Sequence, residues 1–180
     1  MTRMILTYAD YAALPDDGRR YELHDGDLSV TAAAGIRHQR VKANLFDLLL
    51  HHVRRHGLGD LLDAPTDCIL SDTTIVQPDI VFVDTLHASR VTERAIEGAP
   101  TLVVEVLSPS TERIDRGHKL GLYARHGIGH YWIVDPAAQS IDAYVLEGDT
   151  YRLAARLAGQ QPVALPPFQD LPLDPAALWA

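Results

Sequence analysis

The sequence predicts an α/β (α+β) fold, a mixed β-sheet flanked by helices, and three observations carry that prediction. Tyr21-Glu22-Leu23-His24 and Asp27-Leu28-Ser29-Val30-Thr31 flank Asp25-Gly26, the dipeptide of a tight hairpin turn. Residues 36–56 set Ile36, Val41, Leu45, Leu48, Leu49 and Val53 along one side of a helix. Thr101–Leu107, a helix starting at Ser110 or Thr111, and His130–Asp135 read as strand, helix and strand, which join by a right-handed crossover between parallel strands. The 180 residues suit one domain over 1–180, with an irregular Pro-rich strap from about residue 160.

Taken in order, Tyr8–Leu14 reads as a short helix ended by Pro15, and the hairpin follows. Gly57 and Gly59 stop the long helix. Strands are expected near Leu61–Ala64 and Cys68–Leu70, then, past the turn Ser71-Asp72-Thr73, at Gln77–Val83. Ser108-Pro109-Ser110 breaks the strand after Pro100; the next helix runs to His126, with Gly127 just past its end. Ser140–Leu146 and Thr150–Leu157 form a hairpin across Glu147-Gly148-Asp149. The tail, with Pro162, Pro166, Pro167, Pro172 and Pro175 among Phe168, Leu171, Leu173 and Trp179, wraps the body or docks on a partner subunit.

Bulk properties narrow the function. At 47% hydrophobic the chain can build an ordinary core, and its apolar runs fall short of a bilayer span. Met1–Thr7 carries no secretory pattern, and the single Cys68 rules out an internal disulfide or a cysteine-based zinc cluster, so a cytoplasmic location is expected. A net charge of −8 argues against a nucleic-acid coat protein but leaves room for a nuclease whose cleft is locally basic. Arg37, Arg40, Lys42, Arg54, Arg55, Arg113, Arg116, Lys119 and Arg125 supply modest basic clusters.

The chemistry rests on two acids inside apolar strands. Asp79 opens Asp79-Ile80-Val81-Phe82-Val83, and Glu105 lies within Leu102-Val103-Val104-Glu105-Val106-Leu107. A charge buried there is costly unless something neutralises it. From Glu105 to Pro109 a strand climbs about 13 Å, and from Thr111 to Lys119 a helix returns about 12 Å, so a helix packed back on the strand brings Lys119 level with Glu105. Asp115, Lys119 and Tyr123 share that helix face. Two carboxylates with a lysine beside them suit Mg2+, or Mn2+ in its place, and phosphodiester hydrolysis. The Val106 carbonyl would be a third oxygen ligand. Lys119 would orient the attacking water, act as a base, or stabilise the transition state. The histidines lack metal-ligand spacing: His52 and His56 stand four apart, but no Glu lies between them as a zinc-protease helix requires.

These segments resemble the PD-(D/E)XK nuclease superfamily, and more closely a bacterial family of restriction-endonuclease-like proteins. The likeness is carried by Tyr21–Gly26, Arg37-His38-Gln39, Gln77–Ile80, Val104–Thr111 and the stretch from Asp115 to Pro136. Pro78 and Asp79 match the PD of the signature and Glu105 its (D/E); the signature lysine position falls on Leu107, and the resemblance moves the lysine to Lys119. It also implies a restriction-endonuclease-like core and sets Glu22 and His38 near the cleft. Glu22 would be a further metal ligand or an acid behind the ligands, and His38 would contact phosphate or assist proton transfer. The expected function is a Mg2+-dependent endonuclease acting on DNA, with a homodimer as a plausible assembly. The alternatives are a nuclease-fold module that binds without cutting and a hydrolase of another phosphate ester.

Overall fold

The computed structural model describes residues 4–180, so Met1-Thr2-Arg3, part of the N-terminal stretch read above as lacking a secretory pattern, lies outside the described residues. The elements run α1 (Tyr8–Ala12), β1 (Arg20–His24), β2 (Asp27–Thr31), α2 (Ile36–His56), β3 (Gly59–Asp63), β4 (Cys68–Ser71), β5 (Thr74–Val76) and β6 (Ile80–Asp84). A 3-10 helix (Thr85–Arg90), β7 (Ile96–Glu97), β8 (Leu102–Val106), a π-helical turn (Ile114–His118), α3 (Lys119–Arg125) and β9 (His130–Asp135) follow. Then come β10 (Ser140–Glu147), β11 (Thr150–Ala158), β12 (Val163–Leu165), β13 (Phe168–Leu173) and α4 (Pro175–Leu178). Among the described residues no helix is long and apolar enough to cross a membrane.

Two sheets organise these elements. The larger has strand order β11-β10-β9-β8-β6-β3 and the smaller β2-β1-β5-β4-β7. Within the larger, β8 and β9 are parallel and the other pairs antiparallel, so β8, α3 and β9 form the expected crossover. Alternation along the strands assigns two faces. Ile80, Phe82, Leu102, Val104, Val106, Trp132 and Val134 pack with Val41, Leu45, Leu49 and Val53 of α2. Val81, Val83, Val103, Tyr131 and Ile133 pack on the other side with Leu122 and Tyr123 of α3 and with Cys68, Val76 and Ile96 of the smaller sheet. Asp79 and Glu105 share the odd-numbered parity of this second face. The register Ile80↔Val104, continued by one residue, sets the two acids opposite each other.

Local chemistry explains the boundaries. Asp25 (φ 52°) and Gly26 (φ 84°) both take the left-handed conformation that a two-residue hairpin turn requires. Gly57 (φ 60°) ends α2, its N–H returning to the Val53 and Arg54 carbonyls.

Three expectations are corrected. Ile36, counted on the apolar side of α2, is 80% exposed: it occupies the first helical position, more than a turn before Val41, where the helix's buried apolar residues begin. The helix expected from Ser110 to His126 is not uniformly α but takes a π-helical turn at Ile114–His118 before α3. The tail is also regular where an irregular strap was expected: β12 and β13 pair antiparallel and α4 follows. Prolines are tolerated because a two-stranded ribbon has only edge strands. This ribbon and α4 cover the α2 side of the larger sheet, burying Leu165, Phe168, Leu173 and Leu178, and the Pro166 carbonyl accepts from Trp132 Nε1 at 2.7 Å.

Candidate active site

Five elements and one loop converge on a cleft of about 450 Å³ whose floor holds Asp79, Glu105 and Lys119 and whose rim includes His38, Gln39, Lys42 and Thr111. Asp79 lies just before β6 and Glu105 near the end of β8. Glu22 comes from the middle of β1, His38 from the first turn of α2, Asp115 from the π-helical turn and Lys119 from the first position of α3. Glu22, Asp79, Glu105, Asp115 and Lys119 are all buried.

Lys119 is the hub on one side. Its Nζ donates to Glu105 Oε1 at 2.8 Å, lies 3.1 Å from Glu22 Oε2 and stands 3.8 Å from Asp115 Oδ1. The convergence expected from strand and helix rise is therefore present. The Tyr123 hydroxyl donates to the same Glu105 oxygen at 2.6 Å. On the other side Asp79 Oδ2 accepts the Val106 amide at 2.8 Å and meets His38 Nε2 at 3.1 Å. What Val106 offers to Asp79 is thus its N–H. Glu22 is fixed by the Gln77 amide at 2.7 Å and by His24 Nε2 at 3.2 Å.

Arg20 connects the two sides. Its guanidinium donates to Asp79 Oδ1 at 3.0 Å and lies 3.7 Å from Glu22 Oε1 and 3.8 Å from Glu105 Oε2. Sequence reasoning missed this residue, although a signal existed: Arg20, Glu22 and His24 alternate along β1 and therefore point to one face.

The electrostatics follow from four buried acids around two fixed cations. Burial opposes the charge on Lys119, but Glu105, Glu22 and Asp115 outweigh it and hold the ammonium well above its ordinary pKa. Burial likewise pushes Glu22 up, yet Lys119, His24 and Arg20 hold it far below the carboxylate range. Asp79 is held low against its burial by the His38 contact, the charge of Arg20 and the Val106 amide. Glu105 goes the other way. Burial, helped by the charges of Asp115 and Asp79, lifts it to about 8 despite Lys119, and burial raises Asp115 as well. Within the buried cluster four acids face two cations, and the proton that burial keeps on Glu105 offsets part of the difference.

Among the described residues no group of three His, Cys, Asp or Glu side chains is arranged to hold a metal ion. Asp79 and Glu105 instead turn one oxygen each to a single guanidinium. That is a fit of limited kind: a cation is demanded at that point, the donors are hard oxygens, and Mg2+ takes one or two carboxylates and keeps its waters.

The sequence from residue 8 to residue 176 matches the model of the Uma2 family, described as "Putative restriction endonuclease". An uncharacterised protein of Synechocystis sp., slr1290, is 30% identical over 129 residues, covering 69% of this chain and 65% of that protein, slightly under two thirds of its length. A second from the same organism, sll1609, is 24% identical over 161 residues, covering 88% of this chain and 91% of the other. Among solved structures, a "putative nuclease belonging to DUF820" from Anabaena variabilis superposes with a TM-score of 0.79 at 18% identity, covering 97% of both chains. The likeness to that structure establishes a shared fold.

Proposed function

The chain belongs to the Uma2 family, and from that premise we propose that it is a divalent-metal-dependent endonuclease that hydrolyses DNA phosphodiester bonds in the cleft under β1. One observation supports the reading: acids from three separate strand regions gather at one point, Glu105 at 2.8 Å and Glu22 at 3.1 Å from the buried Lys119, with Asp79 joined to them through Arg20. A fold gains nothing in stability from concentrating four carboxylates this way, since buried charges cost more than apolar packing of the same volume.

Asp79 and Glu105 would hold the ion. When bound, Mg2+ supplies positive charge against the phosphate and acidifies a water. The protein's own groups do the rest. Lys119 is kept charged, so it acts as a donor and a positive charge rather than as a base, fixing Glu105 and facing the developing negative charge on the phosphoryl oxygens. His38, lining the cleft and hydrogen-bonded to Asp79, orients that carboxylate and offers a contact for phosphate. Glu22 anchors Lys119 from the far side and is a candidate for a further ion. The Val106 carbonyl remains a candidate ligand beside Asp79.

The test is cleavage of single-stranded, double-stranded and branched DNA with Mg2+ or Mn2+. Asp79→Ala and Glu105→Ala should abolish cutting, and Lys119→Ala should reduce it by about 100-fold or more, as for loss of one charge-stabilising donor. Absence of cleavage on every substrate would remove the enzymatic reading. A second reading, a nuclease-fold module that binds without cutting, draws on the closure of Asp79 by Arg20. It predicts no carboxylate-dependent Mn2+ binding in calorimetry.

A further inference from the structure

We propose that Arg20 is a built-in counter-ion that occupies the metal-binding point of the empty cleft and is displaced from it by the divalent ion. This rests on the reading of Asp79 and Glu105 as the metal pair. Three features of Arg20 carry it. Its guanidinium lies within 3.0 Å of Asp79 Oδ1, 3.7 Å of Glu22 Oε1 and 3.8 Å of Glu105 Oε2, so it touches the oxygens through which these acids would bind an ion. Only the Asp79 contact has hydrogen-bond length, and the buried Nε–H has no partner, so the side chain is held by charge and not by a saturated set of donors. The side chain is 24% exposed, whereas those of Lys119 and the acids are 5% exposed or less, so among the cluster's fixed charges it has the readiest path into the cleft.

The division of labour between the two cations follows. Lys119 lies at the base of the site, paired to Glu105 and Glu22, and stays in place when the cleft is filled. Arg20, on the cleft side, competes with the ion for the same oxygens. A guanidinium and a divalent ion cannot both approach Asp79 Oδ1 and Glu105 Oε2, because their charges repel at that range. Once released, the planar fork of Arg20 is suited to two oxygens of a phosphate lying over the acids. Arg20 therefore lowers the affinity of the free protein for metal and couples metal entry to phosphate binding.

Calorimetric titration with Mn2+ alone tests this without an activity assay. Arg20→Gln should bind Mn2+ at least about tenfold more tightly than the wild type, the order expected for removing one unit charge at this distance, and Asp79→Asn should lose the binding in either background. A variant damaged only structurally would bind more weakly. Carboxylate-dependent Mn2+ binding in the wild type with equal or weaker binding by Arg20→Gln overturns the counter-ion role and leaves the metal site standing. No Mn2+ binding in either protein removes both.

If Arg20→Gln fails to fold, the wild type still decides. In an arginine-labelled NMR spectrum the Arg20 Nε–H signal should move on saturation with Mg2+ and stay fixed in Asp79→Asn. A signal unmoved by saturating Mg2+ in the wild type overturns the proposal.

Discussion

Glu105 and Asp79 are opposite residues of one antiparallel pair, yet their surroundings drive them in opposite directions, and this gives the protein a pH signature. Glu105 is raised to about 8 by burial, so between the unfolded carboxylate value and 8 the native state keeps a proton that the unfolded chain has lost. The unfolded state then binds fewer protons, and stability falls as pH rises through that window; Asp115, also raised, adds to the fall. Asp79 and Glu22 are depressed, so the stability they contribute is present above the ordinary carboxylate range and is lost as the solution is acidified through their folded values. Without metal, the urea midpoint should therefore peak near about pH 5 and decline by about pH 8. Glu105→Gln should flatten the alkaline decline, and excess Mg2+ should cancel it by taking the place of the proton. A metal-free midpoint constant across this range would contradict the assigned burial of Glu105. Tyr123 is the smaller lever: Tyr123→Phe deletes the 2.6 Å hydrogen bond to Glu105 and should cost about 1–3 kcal/mol of stability, measured by chemical denaturation. At this scale Asp79 and Glu105 stood out because a carboxylate in or at the head of an apolar run is an anomaly that the sequence displays, and Lys119 followed from the matching rises of strand and helix. Arg20 was not, since an arginine at a strand end looks like an ordinary solvated flank until Glu22, two residues on, is known to be buried.

At the scale of elements, the site is assembled from ends and irregularities. Asp79 precedes β6, and Asp115 sits in a π-helical turn, a conformation that often marks functional positions within a helix. No periodicity announces such a turn, which is why a continuous helix was expected there, whereas α2 with its glycine stop was readable to the residue. The hairpin β1–β2 matters because its register aims Arg20, Glu22 and His24 together. Gly26 holds that register at φ 84°, and a Cβ there would run into Ile5. Gly26→Ala should therefore cost roughly 1–3 kcal/mol, read as a lowered melting temperature. The same variant should weaken Mn2+ binding by shifting β1, which separates it from Leu45→Ala. Leu45→Ala leaves a void under α2 on the opposite side of the sheet, where it should cost about 2–5 kcal/mol with metal affinity retained. The C-terminal ribbon was misjudged because its prolines were weighed as breakers. Val163 and Leu165 in β12, and Leu171 and Leu173 in β13, in fact alternate as edge strands do, and Phe168 packs on Trp132 and Phe82.

Across the whole molecule, Phe168 and Leu173 of the tail are buried in the chain's own core, which agrees with wrapping, one of the two readings of that segment. The larger consequence concerns charge. With a net charge of −8 the long-range field repels DNA, and at the base of the cleft the buried cluster sets four acids against Arg20 and Lys119. Non-specific DNA binding is driven by phosphate neutralisation and counterion release, which this surface supplies poorly. Affinity for DNA should consequently depend on the divalent ion before any bond is cut. In fluorescence anisotropy with Ca2+, which takes oxygen ligands, a DNA duplex should bind at least about tenfold more tightly than in chelator. The dependence of log affinity on log salt should be no steeper than about −4, because few cations are free to meet phosphates. Asp79→Ala should erase the difference between Ca2+ and chelator, leaving only the weak residual binding of α2 arginines such as Arg37 and Arg40. Tight DNA binding in chelator, unchanged in Asp79→Ala, would instead mean that a basic surface elsewhere holds the nucleic acid and that the acidic cleft is not where the phosphate lies.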